Sequence, residues 1–288
     1  MTRRVIKAAL SFLVASAAFS MCVAQPRLRP PASYVQPTPP SREEGAAILE
    51  QSRNIGLSGP YYLEFEIEVR PRRGDETRMA GRWFGTRTAS GALTRFELAP
   101  GGDRNVVVIV HGGADPAAWK GGTGDSFEKL TGAALLENLE GTHASAADLQ
   151  TPFMHWTDFV YEGLARFRGR PTHVFLLYPP DEDAERYPGV GGVRVFIDTA
   201  YEAISQAQWL DEAGNATKTI TILDLKKISD RWIVKSFEIR DEKTRDKTRF
   251  VVTAAALDVD LPPEIFIAEG KAEAARIQIP DEKIVQVR

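Results

Sequence analysis

The sequence has a single cysteine, Cys22, with only 4 methionines and 4 histidines in 288 residues. One cysteine cannot close a disulfide on its own chain, so packing must supply the stability even in an oxidising compartment. The histidines at 111, 143, 155 and 173 stand singly, without a His-x-x-x-His spacing or a cysteine pair that could hold zinc. Positive charge is not in excess: 36 basic residues face 39 acidic ones, which excludes the basic balance normal for a duplex nucleic-acid binder. No apolar run reaches the roughly 20 residues a permanent membrane span requires. No Lys-Ser/Thr pair follows Gly189-Val190-Gly191-Gly192, so those glycines are not a phosphate loop. What is present is globular composition, 43% hydrophobic and 26% charged, with 23 glycines and 18 prolines.

Residues 1–24 carry the three parts of a secretory signal. Arg3, Arg4 and Lys7 precede an apolar run from Ala8 to Phe19, and small residues at Cys22 and Ala24 predict cleavage before Gln25. Phe19, Ser20 and bulky Met21 depart from the pattern that directs lipidation of a cysteine, which argues against a lipoprotein anchored through Cys22. The chain is therefore expected to be exported to the periplasm. Residues 25–41 hold six prolines from Pro26 to Pro40 and form a Pro-rich linker.

A single domain is expected over 42–267, followed by a polar tail or short helix over 268–288. Ser41 before Arg42-Glu43-Glu44 predicts a capped helix ending near Gly56. From Tyr61 to Val69 the odd positions are apolar and Glu64, Glu66 and Glu68 alternate with them, the pattern of a half-buried strand. Similar segments recur to Val259, and Asp211-Glu212-Ala213-Gly214-Asn215 supplies a hairpin turn. The glycines of 112–124 predict a loop, with helices over Phe127–Leu139 and Ala144–Trp156. About ten strands and three short helices, without βαβ alternation, predict a mainly β (α+β) fold. Its sheet should be a curled, incompletely closed antiparallel half-barrel with short helices covering the concave face.

Several motifs are weighed and set aside. His111-Gly112-Gly113 after an apolar strand is similar to a hydrolase oxyanion loop, but Gly124-Asp125-Ser126-Phe127-Glu128 lacks the second glycine of a nucleophile elbow. The acidic run Asp181, Glu182, Asp183 and Glu185 lacks EF-hand glycine spacing and reads as a solvated loop. Arg166, Arg168 and Arg170, with the basic residues of 240–249, read as a balanced solvated face or as a docking site for an anionic headgroup or a partner. No catalytic, metal or cofactor residue is expected.

A set of short motifs carries a family resemblance. Leu135-Leu136-Glu137-Asn138-Leu139, Ala147-Asp148-Leu149, Phe153 and Trp156 precede Tyr161-Glu162-Gly163. Val195-Phe196-Ile197-Asp198, Trp209-Leu210-Asp211, Gly214-Asn215 and Arg245-Asp246-Lys247-Thr248 follow, with a Pro-Pro-x-x-Phe ending at Phe266. In this order the segment resembles the outer-membrane lipoprotein-sorting (LolA-like) family in its broader uncharacterised branch. The resemblance implies a half-barrel with a helical lid over an apolar cavity, and a non-enzymatic carrier or chaperone. The alternatives are an envelope interaction scaffold that keeps the fold with its cavity filled and, third, a secreted hydrolase. The carrier's partners would be a lipid or lipoprotein acyl chain and an envelope protein, with no nucleic acid. The candidate cavity wall is Leu63, Phe65, Ile67, Trp83, Phe96, Phe175, Leu177, Trp209 and Trp232.

Overall fold

Alternation in β1 (Tyr61–Arg70) sets the sheet's two faces. Phe65 and Ile67 are almost fully buried on one of them, whereas Glu64 and Glu66 face partly to water on the other. A computed structural model describes residues 41–287 apart from 58, 100–104, 114, 123–125, 184 and 269–276, all in a unit running from Ala32 to Arg288. The expected export signal and all but Ser41 of the Pro-rich linker lie outside the described residues. After β1 come β2 (Thr77–Thr88), β3 (Gly91–Leu98), β4 (Val106–His111), β5 (Ala117–Gly121) and β6 (Glu128–Lys129). The second half contributes β7 (Asp158–Phe167), β8 (Arg170–Tyr178), β9 (Val190–Asp198), β10 (Ile204–Asp211), β11 (Ala216–Ile228), β12 (Arg231–Asp241), β13 (Lys247–Leu257) and β14 (Val285–Gln286). Two α-helices are described, α1 (Arg42–Asn54) and α2 (Ala146–Gln150).

The strands form one antiparallel sheet in the order β6-β5-β4-β3-β2-β1-β13-β12-β11-β10-β9-β8-β7, with β14 added beside β13. Apart from the β1–β13 pairing, which joins the two halves, the path is a meander. Laid flat, thirteen strands about 4.8 Å apart would be roughly 60 Å wide. The sheet is curled instead, as the contacts of one short segment with both halves of it show. Gln150 at the end of α2 donates to the carbonyls of His111 and Ala117 at 3.0 and 3.1 Å, while Phe153 three residues on packs edge-to-face on Trp209 of β10 at 5.6 Å. Arg186, between β8 and β9, donates to the Pro116 carbonyl before β5. The sheet is nevertheless not closed into a barrel, since β6 and β7 do not pair.

The concave face is covered by α1 and by residues 130–156. Ser41 caps α1 by accepting from the Glu44 amide at 3.0 Å, and Gly45 lets the helix sit on β7 and β8. A Cβ there would lie 2.9 Å from the Tyr161 Cβ and 3.2 Å from the Phe175 ring. In α2, Ser145 and Asp148 form a capping box. Asp148 also pairs with Lys218 of β11 at 2.8 Å, and His143 bonds Thr248 of β13 through its backbone and its ring. These contacts tie the lid to the middle of the sheet.

Three segments differ from the sequence expectation. Residues 117–121 and 128–129, expected as loop and helix, are strands β5 and β6 that extend the edge at β4. The helix expected over 144–156 breaks at Thr151, whose φ is +48°, and at Pro152, leaving α2 and a 3-10 turn. The segment expected as a polar tail returns to the sheet. Ile277, Ile279 and Ile284 pack with Tyr62, Phe84 and Phe266 on the convex face, and Val285–Gln286 pairs with Ala254–Ala255. Fourteen strands are thus described, against about ten expected.

A turn at the β9–β10 junction gives a pH-dependent expectation. Asp198 accepts from the Ala200 and Tyr201 amides at 2.8 and 3.1 Å and is held by both Nε and Nη2 of Arg170. The Arg170 hydrogen bonds, opposed by burial and aided by the two amides, keep this carboxyl below its ordinary value. A depressed carboxylate stabilises the fold above the unfolded-state value, near 3.9, and loses that contribution as pH falls through the folded-state value. Asp198→Ala is therefore expected to cost about 1–2 kcal/mol at pH 7, discounted for the solvent around Arg170. Urea unfolding at pH 7 and pH 3 should show the difference from wild type shrinking in acid.

Candidate functional site

Between the middle of the sheet and the lid lies an apolar cavity of about 410 Å³. Glycines in β2 shape its wall. Gly81 and Gly85 lie under the rings of Phe65 and Tyr61, where a Cβ would come within 2.1 and 2.2 Å of ring atoms. Both rings can therefore lie across β2. Phe237 and Phe250 stack at 4.4 Å in the facing wall from β12 and β13. Ile204 and Ala207 of β10, Ile220 and Ile222 of β11, and Leu149 and Phe153 of the lid complete most of the lining. Burial pushes the Tyr61 hydroxyl up to about 12, so it remains a neutral phenol at physiological pH.

Of the nine residues expected in the wall, Leu63, Phe65, Trp83 and Trp232 line this cavity. The other five do not. Ile67, Phe96, Phe175 and Leu177 are fully buried and Trp209 is nearly so, all within the packed core. Phe96 stacks on Phe65 at 4.9 Å, Phe175 on Tyr161 at 4.8 Å, and Trp209 is enclosed by Phe153 and Trp156. Their correction has a simple cause: a side chain on the concave face lines a void only where the lid leaves one. Ile220 and Ile222 were missed, although Thr219-Ile220-Thr221-Ile222 alternates as clearly as β1.

The charged group inside the wall is Asp148, compensated by Lys218 at 2.8 Å. The cavity shares Ile55, Gly56, Thr151, Ile204, Ile222 and Trp232–Val234 with an outer space of about 590 Å³ that forms its mouth. Arg53, Arg87, His155 and Arg231 are in the mouth's lining, along with Asp230. Partial burial, and then the Arg53 and Arg87 guanidiniums, hold the His155 imidazole below its ordinary value. Beside the mouth runs a groove of about 450 Å³ lined by Arg168, Arg170, Asp198, Tyr201 and Trp232. Trp232 is half exposed and meets Tyr201 edge-on at 5.5 Å.

Several of the remaining sequence candidates have structural partners. A His111 ring nitrogen is 2.8 Å from the Phe266 carbonyl and the ring stacks edge-on against Trp119, fastening the convex-face segment to β4. Arg240 and Arg245 pair with Glu242, and Lys247 and Arg249 with Glu238, which makes much of the later basic cluster a balanced network. Gly191 is explained by close packing, since a Cβ there would sit 2.3 Å from the Asp211 carbonyl oxygen. Among the described residues, no three His, Cys, Asp or Glu side chains gather to hold a metal. No helix among them is long and apolar enough to cross a membrane.

Comparison with known proteins places this geometry. A putative outer membrane lipoprotein-sorting protein domain from Vibrio parahaemolyticus superposes with a TM-score of 0.68 at 16% identity, covering 78% of this chain and 96% of that one. A DUF1329 family protein from Desulfovibrio piger gives 0.67 at 13% identity, with the same shares covered. A LolA superfamily protein from Nitrosomonas europaea gives 0.60 at 14%, over 77% of this chain and 96% of that one. No curated protein matches by sequence. A family model described only as "-like: Uncharacterized protein" matches residues 124–269, half of the chain. The chain belongs to that uncharacterised family, and its fold is the LolA-like half-barrel.

Proposed function

We propose that this protein is an exported, non-enzymatic carrier that shelters the apolar chain of a lipid or lipoprotein between sheet and lid. The observation that carries the reading is the 410 Å³ cavity, walled by aromatic and branched side chains from six strands of the sheet and by the lid. That volume falls in the range of roughly 300–1,000 Å³ typical of small-molecule sites. An apolar chain gains about 0.8 kcal/mol per buried methylene, so ten methylenes could supply about 8 kcal/mol before ordering costs. No covalent step is required. The names of the similar structures, a lipoprotein-sorting domain and a LolA superfamily protein, support the same direction. The signal read in residues 1–24 supports export.

The test is binding of a neutral fluorescent alkyl probe, together with mass spectrometry of lipid extracted from the purified protein. Ile220 lines the cavity from the middle of β11, so Ile220→Trp fills part of the space. This variant is expected to bind the probe at least tenfold more weakly while its urea midpoint stays close to wild type. A wild-type protein that binds no alkyl probe and yields no lipid would overturn the carrier reading and favour a scaffold that uses the same fold.

A further inference from the structure

The carrier reading leaves open what kind of head the apolar chain bears, and the charges around the cavity are not symmetric. Arg53, Arg87 and Arg231 line the mouth against one acid, Asp230. Two of these arginines are engaged: Arg53 donates to the Met154 carbonyl and pairs with Glu50, and Arg231 pairs with Asp258. Arg87 is different. It lies near the end of β2 at an odd position, the parity that sends Gly81, Trp83 and Gly85 to the concave face. Among the described residues its guanidinium has no hydrogen bond and no ion pair, and its charge is felt at the Tyr61 hydroxyl and at His155. Its Nη2 would lie 3.8 Å from a Cβ at Gly56, a residue common to the walls of the cavity and the mouth. A five-donor cation with no counter-ion among the described residues therefore stands at the junction of an apolar chamber and its opening.

Among the described residues the interior offers no such free cation, because its one charged lining residue is already neutralised by Lys218. Its charged residue is Asp148, with both carboxylate oxygens buried, Oδ1 unpartnered and Oδ2 bonded to Ser145 and Lys218. An anionic group moved inside would lose its water among apolar walls, beside a carboxylate whose Lys218 partner is already taken, whereas an anionic group left at the mouth keeps its water and meets Arg87. Resting on the carrier reading, we propose that the ligand is a single-chain amphiphile with an anionic head. Its alkyl chain enters the cavity, and its carboxylate or phosphate is held at the mouth by the Arg87 guanidinium. Arg53 and Arg231 add positive potential around that contact without giving up their own partners.

A series of C12 ligands separates the parts of this proposal: dodecanoate, dodecyl phosphate, dodecanol and dodecylammonium, titrated calorimetrically against the full chain at low ionic strength. Both anions are expected to bind tighter than dodecanol, and dodecylammonium weakest. Arg87→Gln should weaken the anions about tenfold, the loss of one charge-assisted contact, and leave dodecanol unchanged. Arg87→Lys should restore much of the difference. Because Arg87 is exposed and has no hydrogen bond among the described residues, the variants should unfold at the wild-type urea concentration. The ratio of phosphate to carboxylate affinity tells a phosphorylated head from a free acid. If dodecanol binds as tightly as the anions, or if Arg87→Gln weakens all four alike, the anionic head is wrong and the carrier stands. If none of the four binds, the carrier reading falls as well.

Discussion

Trp209→Ala is expected to lower the unfolding free energy by about 3–5 kcal/mol, the cost of removing a large ring from a closed core, whereas Trp232→Ala should cost less than about 1 kcal/mol. The contrast follows from surroundings and not from residue type. Trp209 is 4% exposed and stands edge-to-face with Phe153 and Trp156, the two lid aromatics that follow α2. Its loss leaves a hole where the lid meets β10, and the lid is what encloses the cavity. Trp232 is half exposed, and its ring meets that of Tyr201 edge-on. It lines the cavity, the mouth and the adjoining groove together. Urea unfolding and alkyl-probe titration on both variants therefore give opposite patterns. Trp209→Ala is strongly destabilised and loses binding through a loosened lid. Trp232→Ala is nearly as stable as wild type and binds the probe several-fold more weakly. Equal destabilisation of the two would mean that Trp232 is packed and that the mouth is not open there.

Much of the sheet is legible in the sequence because its signals are local. The alternation of Tyr61–Val69 specifies which side chains of β1 turn inward, and Asp211–Asn215 forms the expected hairpin, with Gly214 at φ +80° and the Asp211 carboxylate accepting from the Asn215 amide. The strands that escape are those without an apolar rhythm. In β5, Ala118 is fully buried yet contributes only a methyl group, so pairing with β4 decides its conformation more than its own pattern does. The apolar spacing of Phe127, Leu130, Leu135 and Leu139 mimics a helix, but Gly132 takes φ +54° and the segment instead bends across the core. The cavity is harder still to read. Phe65 and Phe96 are stacked on each other and indistinguishable by pattern, yet only Phe65 lines the cavity, because residues 148–153 decide where the void lies. Arg87 shares the inward parity of Trp83, and that parity was available in the sequence. That no described residue pairs with it was not.

Glu97→Ala is expected to destabilise the protein by about 3–5 kcal/mol, because it leaves a buried guanidinium without its anion. Arg95 and Glu97 are 4% and 5% exposed on the convex face of β3, with Arg95 Nε 2.7 Å from Glu97 Oε1. Arg82 approaches the second carboxylate oxygen at 2.7 Å but is itself 41% exposed, so it can turn to water once Glu97 is gone. Arg95 cannot. The segment around Ile265 and Phe266 lies over it, with Arg95 Nη1 3.4 Å from the Ile265 carbonyl, a weak acceptor for a full charge. A double replacement, Arg95→Leu with Glu97→Leu, removes both charges and should lie within about 1 kcal/mol of wild type or above it, as apolar substitutes for buried ion pairs often do. Urea unfolding of the single and double variants gives the comparison directly. A single-variant cost below 1 kcal/mol would show that water reaches Arg95, and hence that residues 261–267 do not seal the convex face.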